Sequence, residues 1–304
     1  MFKRVYISIS IIKIYIIKNI FYYIMRSTTK THKIIYYMIG MFILLICSYK
    51  LYYYNATTLE NFSIRDEKFK AYYINLDKNK KRNADFLASY EKSDMQSVAL
   101  VRFPAIIGKT VDFDLWLKPE AITEMNKIEK TRERTHHYQL THGGVGCFLS
   151  HYTLAKQLLE DPTTNYYIIF EDDIGFHRNS FKMIDDYLLT APEFWDIILF
   201  SNLRKIRYSA KGEFLKPDGF WGMQSYIINK KGAQKLVEEV QREKIDGQID
   251  AYLSRMIQQN KINIYITNRN LIYLNQNSNM SDIQSKLRRS ASHVNPFDYK
   301  GYIV

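Results

Sequence analysis

The chain has 304 residues, of which 46% are hydrophobic and 24% are charged, with 12 glycines and 6 prolines. This composition excludes disordered, collagen-like and low-complexity chains, and it leaves room for one large globular domain or two small ones. The formal net charge of +12 would suit a nucleic-acid-binding or membrane-surface protein if the charge were spread over the whole fold.

The positive charge is concentrated at the amino terminus. Residues 1–50 carry eight lysines and arginines and no aspartate or glutamate. The remaining residues hold 35 basic and 31 acidic side chains, a balance that is ordinary for a soluble domain. A nucleic-acid partner is therefore not expected.

The basic leader, residues 1–33, is followed by the most apolar stretch of the chain. Residues 34–49 contain no charge, and residues 51–54 extend the stretch past Lys50. About 20 apolar residues span a bilayer core, and a lysine near the end of a span can reach the headgroups. Residues 34–54 are therefore predicted to be a transmembrane anchor. The alternative is a buried core helix, which the lysines in the flanking segments disfavour.

The charges around the predicted anchor indicate its orientation. Basic residues precede the anchor, and the first acidic residue of the chain, Glu60, follows it. Because basic residues favour the cytosolic side, we expect a single-pass type II membrane protein, facing the Golgi or endoplasmic reticulum lumen in a eukaryotic host. Residues 55–68 would form a stem, and residues 69–304 a single domain.

The predicted domain alternates short apolar runs with longer amphipathic segments, which is the pattern of an α/β fold. The apolar runs predict strands over residues 70–76, 98–103, 166–170, 195–200, 224–228, 262–267 and 271–274. The amphipathic segments predict helices over residues 78–90, 146–159, 230–240 and 249–258. Gly143 and Gly144 are expected to form a flexible start before the second helix. The periodicity does not decide the state of residues 112–139.

Three acids, Glu171, Asp172 and Asp173, directly follow the buried strand predicted at 166–170. Ligands of open α/β sheets bind outside the carboxyl ends of the strands. Carboxylates suit Mn²⁺ or Mg²⁺, which proteins hold through one or two acids together with substrate phosphates, and such a cation can neutralise a departing diphosphate. The alternative is a solvated acidic turn that caps the next helix.

Four blocks of sequence carry a resemblance to a known family. The first block is YYINLDKNKKR, with Asn75, Leu76, Asp77 and Arg82, and the second is GVGCFLSHYTLAKQLL, with Gly146, Cys147, Ser150 and His151, followed by YYIIFEDDIGF. The third is WDIILFS, with Trp195 and Asp196, followed by GMQSYIINKKGAQKL. The fourth is IDAYL, with Asp250, followed by Gln276 and residues 281–283. Together they resemble glycosyltransferase family 25, which includes bacterial lipopolysaccharide galactosyltransferases and collagen hydroxylysine galactosyltransferases. The resemblance covers about residues 70–285.

The resemblance implies a GT-A-type, Rossmann-like fold and a nucleotide-sugar donor, usually a UDP-hexose. It also implies a divalent cation, Mn²⁺ or Mg²⁺, held by the acidic motif. Asp173 is the first candidate ligand, followed by Asp172 and Glu171. The motif meets an Asp-x-Asp spacing only if Glu171 is its first member.

The resemblance further implies that Asn75, Asp77 and Arg82 bind the nucleotide. Arg82 could pair with a phosphate or with Asp77, or it could be an ordinary surface arginine. His151 is expected to bind the donor or to support the donor site through a hydrogen bond, together with Asp172. A satisfied core histidine is the alternative for His151.

The family's chemistry, inversion at the anomeric carbon by direct displacement, needs a general base on the acceptor hydroxyl. A base can be aimed from the end of a helix or strand. Asp250, which opens the helix predicted at 249–258, is the first candidate, with Asp246 and Asp282 behind it. For Asp250 the alternative is a helix-capping role.

Cysteines and histidines give little further signal. The two cysteines, Cys47 in the predicted anchor and Cys147 in the domain, cannot meet, so neither a disulfide framework nor a cysteine-based metal site is expected. His142 and His151 are nine residues apart, a spacing that does not suit two zinc ligands on one helical face.

These observations predict a membrane-anchored transferase that moves a hexose, galactose or glucose, from a UDP-sugar to a hydroxyl group. The acceptor could be a glycan, a lipopolysaccharide or other lipid-linked saccharide, or a protein hydroxyl such as that of hydroxylysine. Two alternatives stay open. One is a metal-independent glycoside hydrolase with paired carboxylates. The other is an anchored binding module without activity.

Overall fold

A computed structural model describes residues 69–136, 138–201 and 214–275, and the backbone of residues 288–294. The predicted leader, anchor and stem, residues 1–68, lie outside this range and stay predictions. Within the described part of the chain, no helix has both the length and the apolar character needed to cross a bilayer.

Helices and strands alternate along much of the described chain. The helices are α1 (Lys80–Glu91), α2 (Phe113–Trp116), α3 (Pro119–Thr131), α4 (His142–Glu160), α5 (Ser180–Leu188), α6 (Lys230–Glu243) and α7 (Ile249–Gln258). The strands are β1 (Phe69–Asn75), β2 (Leu100–Pro104), β3 (Glu133–His136), β4 (Tyr166–Glu171), β5 (Ile174–Phe176), β6 (Ile197–Leu199), β7 (Phe214–Leu215), β8 (Ser225–Asn229), β9 (Ile264–Thr267), β10 (Ile272–Leu274) and β11 (Arg288–Val294).

Seven of these strands form a mixed, mostly parallel sheet in the order β2-β1-β4-β8-β6-β9-β7. Strands β2, β1, β4, β6 and β9 run in one direction, and β8 and β7 run in the other. Two further pairs, β5 with β10 and β3 with β11, lie outside this sheet. The predicted α/β class is confirmed.

The sheet has a core on each face because alternate residues of its central strands point in opposite directions. In β4, Tyr167 and Ile169 belong to one core, which α4, α6 and α7 cover. Ile168 and Phe170 belong to the other, which α1 and α5 cover. A strand that is apolar on both faces gains about 1.5–3 kcal/mol for each large side chain buried. The strand that carries the acidic motif is therefore firmly held.

The loop after β2 crosses the start of α4 at very short range. A Cβ on Gly146 would lie 2.3 Å from the carbonyl oxygen of Ile106. The Ser150 hydroxyl accepts a hydrogen bond from the Ile106 N–H at 2.9 Å and donates one to the Gly146 carbonyl at 2.7 Å. Gly146 and Ser150, two residues of the sequence blocks, thus fix this loop against α4.

Asp196 plays a structural part between β6, α6 and β9. Its carboxylate accepts hydrogen bonds from the Lys235 ammonium at 2.5 Å and from the Asn263 N–H at 2.7 Å. Gly232 packs so closely that a Cβ there would lie 2.5 Å from the Asp196 carbonyl oxygen. The third block therefore holds the sheet and α6 together.

Most elements appear where the sequence predicted them, and the others differ in their start or were not predicted. Gly143 and Gly144 are not a flexible start, because α4 already begins at His142 and the Thr141 hydroxyl caps it by accepting from the Gly144 N–H at 3.0 Å. The undecided segment, residues 112–139, contains α2, α3 and β3. Strands β5, β7 and β11 and helix α5 were not predicted.

Candidate functional site

The acidic motif lies at the carboxyl edge of the sheet. Strand β4 ends at Glu171, and Asp172 and Asp173 form the turn into β5. The Glu171 N–H donates to the Gln224 carbonyl, and the Asn275 N–H donates to the Asp173 carbonyl, each at 2.8 Å. Because β1 runs parallel to β4, its last residue lies beside the motif.

Asp172 is buried, with 6% of its side chain exposed, and both of its carboxylate oxygens are engaged. Oδ2 accepts a hydrogen bond from the Asn75 amide at 2.5 Å. Oδ1 forms an ion pair with the Arg82 guanidinium. A buried carboxylate needs such partners to offset its lost hydration. Asp172 therefore ties β1 and α1 to the turn after β4.

Arg102 completes this set of contacts from the neighbouring strand β2. Its guanidinium donates to the Asn75 side-chain oxygen at 3.0 Å and to the Asp77 carboxylate at 2.6 Å. The hydrogen bond from Arg102 lowers the pKa of Asp77. Arg82 was expected to pair with a phosphate or with Asp77. Asp77 pairs with Arg102 instead, and Arg82 pairs with Asp172. Arg102 was not predicted as a site residue, because its approach to Asn75 depends on the pairing of β2 with β1.

Asp173 has fewer partners than Asp172. Its Oδ2 lies 3.6 Å from the Arg82 guanidinium, and its buried Oδ1 has no hydrogen-bond partner among the described residues. Burial, followed by the charge of Glu171, raises the pKa of Asp173 to about 7. An anionic Asp173 is thus disfavoured unless a cation or a hydrogen-bond donor reaches it.

His151 lies under the motif, with only 1% of its side chain exposed. One ring nitrogen, Nδ1, lies 2.9 Å from the Tyr226 hydroxyl on β8. The other, Nε2, lies 3.2 Å from Glu171 Oε1. His151 is therefore a buried histidine with both nitrogens engaged, and one of its two partners is an acid of the motif.

Cys147 lies one helical turn before His151 on α4. The Cys147 sulfur, a His151 ring nitrogen and a Glu171 carboxylate oxygen all lie within 4.8 Å of one another. Burial, followed by the charges of Glu171, Asp250 and Asp173, raises the pKa of the Cys147 thiol well above its usual value. The expectation that no cysteine could join a metal-binding group overlooked the i, i+4 spacing of Cys147 and His151, which puts both side chains on one helical face.

Asp250 approaches the same acids from α7. Its Oδ2 accepts from the Gly222 N–H at 3.0 Å, and its Oδ1 accepts from the Ala251 N–H at 2.8 Å. Gly222 has φ +81°, a left-handed conformation that glycine adopts easily. Burial raises the pKa of Asp250, and the charge of Glu171 adds to the shift. Gln248, not Asp250, is the N-cap residue of α7, but the Asp250 carboxylate does accept from an N–H group in the first turn of this helix.

The other two candidate bases differ from Asp250. Asp246 is 3.1 Å from the Lys118 ammonium and also pairs with Arg255. It lines a cavity of about 140 Å³ together with residues of α6 and α7, and the acids at 171–173 are not in that lining. Asp282 lies outside the described residues and stays a prediction.

Comparisons with known proteins match the part of the chain that builds this site. The family model described as glycosyltransferase family 25, LPS biosynthesis protein, matches residues 68–253. A glycosyltransferase 25 family member of Anopheles gambiae is 27% identical over 197 residues, which is 61% of this chain and 31% of that protein. Procollagen galactosyltransferase 2 of Homo sapiens is 31% identical over 107 residues, 32% of this chain and 17% of that protein. The chain thus spans a third or less of the length of these relatives.

A solved structure also aligns with the chain. A glycosyltransferase involved in the glycosylation of the major capsid of PBCV-1 aligns with 58% of this chain and 66% of its own, with a TM-score of 0.32 and 9% sequence identity.

Proposed function

The chain belongs to glycosyltransferase family 25, as its sequence blocks predicted, and from this premise we propose that it is a membrane-anchored hexosyltransferase with a GT-A-type fold. It would move galactose or glucose from a UDP-sugar to a hydroxyl group on a glycan, a lipid-linked saccharide or hydroxylysine. The observation that carries the proposal is the group of acids at the carboxyl end of β4, where α/β proteins bind their ligands. Glu171 and Asp173 belong to the motif there, and the charge of Glu171 raises the pKa values of both Asp173 and Asp250.

The acids of the motif fit a divalent cation unequally. Asp173 has a buried oxygen without a hydrogen-bond partner among the described residues, and Glu171 is two positions before it, close enough for its charge to raise the pKa of Asp173. Both oxygens of Asp172 are taken by Asn75 and Arg82. Glu171 and Asp173 are therefore the residues that would hold Mn²⁺ or Mg²⁺. When bound, the cation would neutralise the charge that develops on the departing diphosphate.

Asp250 is the general base in this proposal. Its carboxylate would accept the proton of the acceptor hydroxyl while the hydroxyl oxygen bonds to the anomeric carbon and the bond from that carbon to the diphosphate breaks, with inversion. Burial raises the pKa of Asp250, which makes it a stronger base than an exposed aspartate. The N–H groups of Gly222 and Ala251 hold the carboxylate in place, so it can be aimed.

Two features support the assignment of the donor side. Asn75, Asp77 and Arg102 form a fixed polar surface at the end of β1, next to the motif, where the family resemblance expects the nucleotide. The human relative is named a procollagen galactosyltransferase, which favours a UDP-hexose donor and keeps hydroxylysine among the acceptors. The anchor, residues 34–54, would hold the domain at the membrane.

The test measures UDP release by the purified full-length chain with Mn²⁺ and a panel of UDP-sugars, with a hydroxylysine-containing collagen peptide, a lipopolysaccharide or a glycan as acceptor. We expect release with a UDP-hexose, its loss on chelation, and its loss in Asp173→Asn. Asp186→Asn is the matched control, because Asp186 is an exposed acid of α5 whose recorded ion pair is with Lys182. Full activity of Asp173→Asn would contradict the metal role of Asp173.

The alternatives predict other results of the same measurement. A glycoside hydrolase would release free sugar from a glycoside without nucleotide and would be indifferent to chelation. A binding module would release no UDP with any of the acceptors. UDP with Mn²⁺ could still raise its melting temperature, because a ligand that binds the native state stabilises it.

A further inference from the structure

We propose that Cys147, His151 and Glu171 form a binding site for a thiophilic divalent cation of the Zn²⁺ type. This site would share Glu171 with the Mn²⁺ or Mg²⁺ position but use softer ligands. Binding at Cys147 and His151 does not depend on transferase activity. Only the competition between the two cations rests on the proposed function.

The backbone brings the three ligands together from two elements. Cys147 and His151 are one turn apart on α4, so their side chains share a face of the helix. Glu171 ends β4, which packs against that face. The three ligand atoms already lie within 4.8 Å of one another. In a tetrahedral zinc site, metal–ligand bonds of about 2.0–2.3 Å place the ligand atoms roughly 3.5 Å apart, so small side-chain rotations suffice.

The surroundings of His151 suit a metal ligand. Tyr226 is fully buried, and its hydroxyl lies 2.9 Å from Nδ1 of His151. If Nδ1 donates its hydrogen to that hydroxyl, Nε2 is left with a free electron pair that points toward Glu171 and Cys147. Metal-binding histidines commonly have such a partner on the second nitrogen, which fixes the tautomer and the ring orientation.

The charge balance of the site also favours a cation. When the metal–sulfur bond forms, the Cys147 thiol releases its proton to solvent, and the bound species is a thiolate. This thiolate and the Glu171 carboxylate would both be negatively charged, and their ligand atoms lie within 4.8 Å of each other. A dication compensates these negative charges. Thiolate and imidazole ligands select Zn²⁺ over Mg²⁺ and Mn²⁺, so the two kinds of cation would prefer different parts of the site.

The test uses Co²⁺ as a spectroscopic substitute for Zn²⁺ on the purified full-length chain. We expect a near-ultraviolet thiolate-to-cobalt charge-transfer band and strong visible bands of tetrahedral cobalt, both removed by one equivalent of Zn²⁺. Cys147→Ser should lose the charge-transfer band. Cys47→Ser is the matched control and should keep it, because it removes the other of the two cysteines of the chain.

A second measurement does not require any change at Cys147. The Cys47→Ser protein has Cys147 as its only thiol, and X-ray absorption of its zinc-loaded form should show one sulfur neighbour together with nitrogen or oxygen neighbours. A zinc shell without sulfur, or a cobalt charge-transfer band that survives in Cys147→Ser, overturns the proposal. UDP release with Mn²⁺ is measured separately, so failure of this site and failure of the transferase are distinguishable.

Discussion

The carboxylates on the two sides of the acidic motif have different surroundings. On the side of β1 and β2, Asp77 and Asp172 are ion-paired with Arg102 and Arg82, and Asn75 bridges Asp172 and Arg102. We call these five residues the paired network. On the side of α4 and α7, the pKa values of Asp173, Asp250 and the Cys147 thiol are raised by burial and by the charge of Glu171. We call Cys147, Glu171, Asp173 and Asp250 the acid cluster.

The difference separates residues that hold the site from residues that can act in it. In the paired network both oxygens of Asp172 are engaged, so Asp172 has little to gain from a ligand and fixes the geometry of the turn after β4. The acid cluster holds excess negative charge in a partly buried place, and it gains when a cation or a proton arrives. Adjacent residues of one motif, Asp172 and Asp173, therefore have different roles.

The largest expected effect is on catalysis, within the acid cluster. Asp250→Asn keeps the size of the side chain but removes the proton acceptor, so we expect UDP release in the presence of acceptor to fall by about 10²–10⁴-fold. The measurement is kcat with saturating donor. The amide oxygen can accept from only one of the Gly222 and Ala251 N–H groups, because the NH2 group is a donor, so we expect a modest fall in melting temperature beside the much larger fall in kcat.

Asp246→Asn is the comparison for this prediction. Asp246 precedes the same helix but is ion-paired with Lys118 and Arg255, as a member of the paired network would be. Its replacement should leave kcat within about threefold, because general-base catalysis is not lost. An equal loss in both variants would contradict the choice of Asp250 and the division of the site.

The next effect is on stability, within the paired network. Arg82→Ala leaves the buried Asp172 carboxylate without its cation, and breaking a buried ion pair costs about 3–5 kcal/mol. Urea unfolding measures the loss. Adding Asp172→Asn to Arg82→Ala removes the stranded charge and should recover part of it. Lys182→Ala, which breaks the exposed pair with Asp186, should cost less than about 1 kcal/mol.

A result in which Arg82→Ala costs no more than Lys182→Ala would show that Asp172 is not held by this pair. The paired network would then offer no reason to exclude Asp172 as a metal ligand. The paired network and the acid cluster would then no longer differ in the way their carboxylates are held.

The sequence predicted the parts of this arrangement that depend on local pattern. The run of apolar residues before Glu171 marked a buried strand and its ligand edge, and Asn229 and Asp250 marked the starts of α6 and α7. Such features need only the period of the hydrophobic residues and the residue types at the ends of elements.

The features that the sequence did not predict depend on packing between distant segments. Arg102 reaches Asn75 because β2 lies beside β1 in a parallel register, which no local pattern specifies. Gly143 and Gly144 are helical because Thr141 caps α4 before them. Strand β5 is only three residues long, and it is held by its pairing with β10. Its shortness left too little periodicity to detect.

A smaller effect is expected in the pH dependence of the metal-free protein. The pKa of Asp173 rises from 3.8 to about 7 on folding, so between these values the unfolded chain binds fewer protons than the native state. Stability contributed by the protonated acid is therefore present below pH 4 and lost as the pH rises to 7. We expect the melting temperature of the chelated protein to fall over this range, and to fall less in Asp173→Asn. Asp186→Asn should follow the wild-type curve.

The smallest effect tests whether the Tyr226 hydroxyl orients His151 beside Glu171 of the acid cluster. Tyr226→Phe removes the hydroxyl that meets Nδ1 of the buried His151, and an unsatisfied buried hydrogen-bonding atom costs about 1–3 kcal/mol. Loss of the partner of a metal-binding histidine typically weakens metal binding about 10–100-fold, so the Co²⁺ affinity should fall in this variant. Tyr273→Phe, at an exposed position of β10, should change neither quantity. If Tyr226→Phe lowers stability but leaves Co²⁺ affinity unchanged, the Tyr226 hydroxyl contributes to the core and does not orient the metal site.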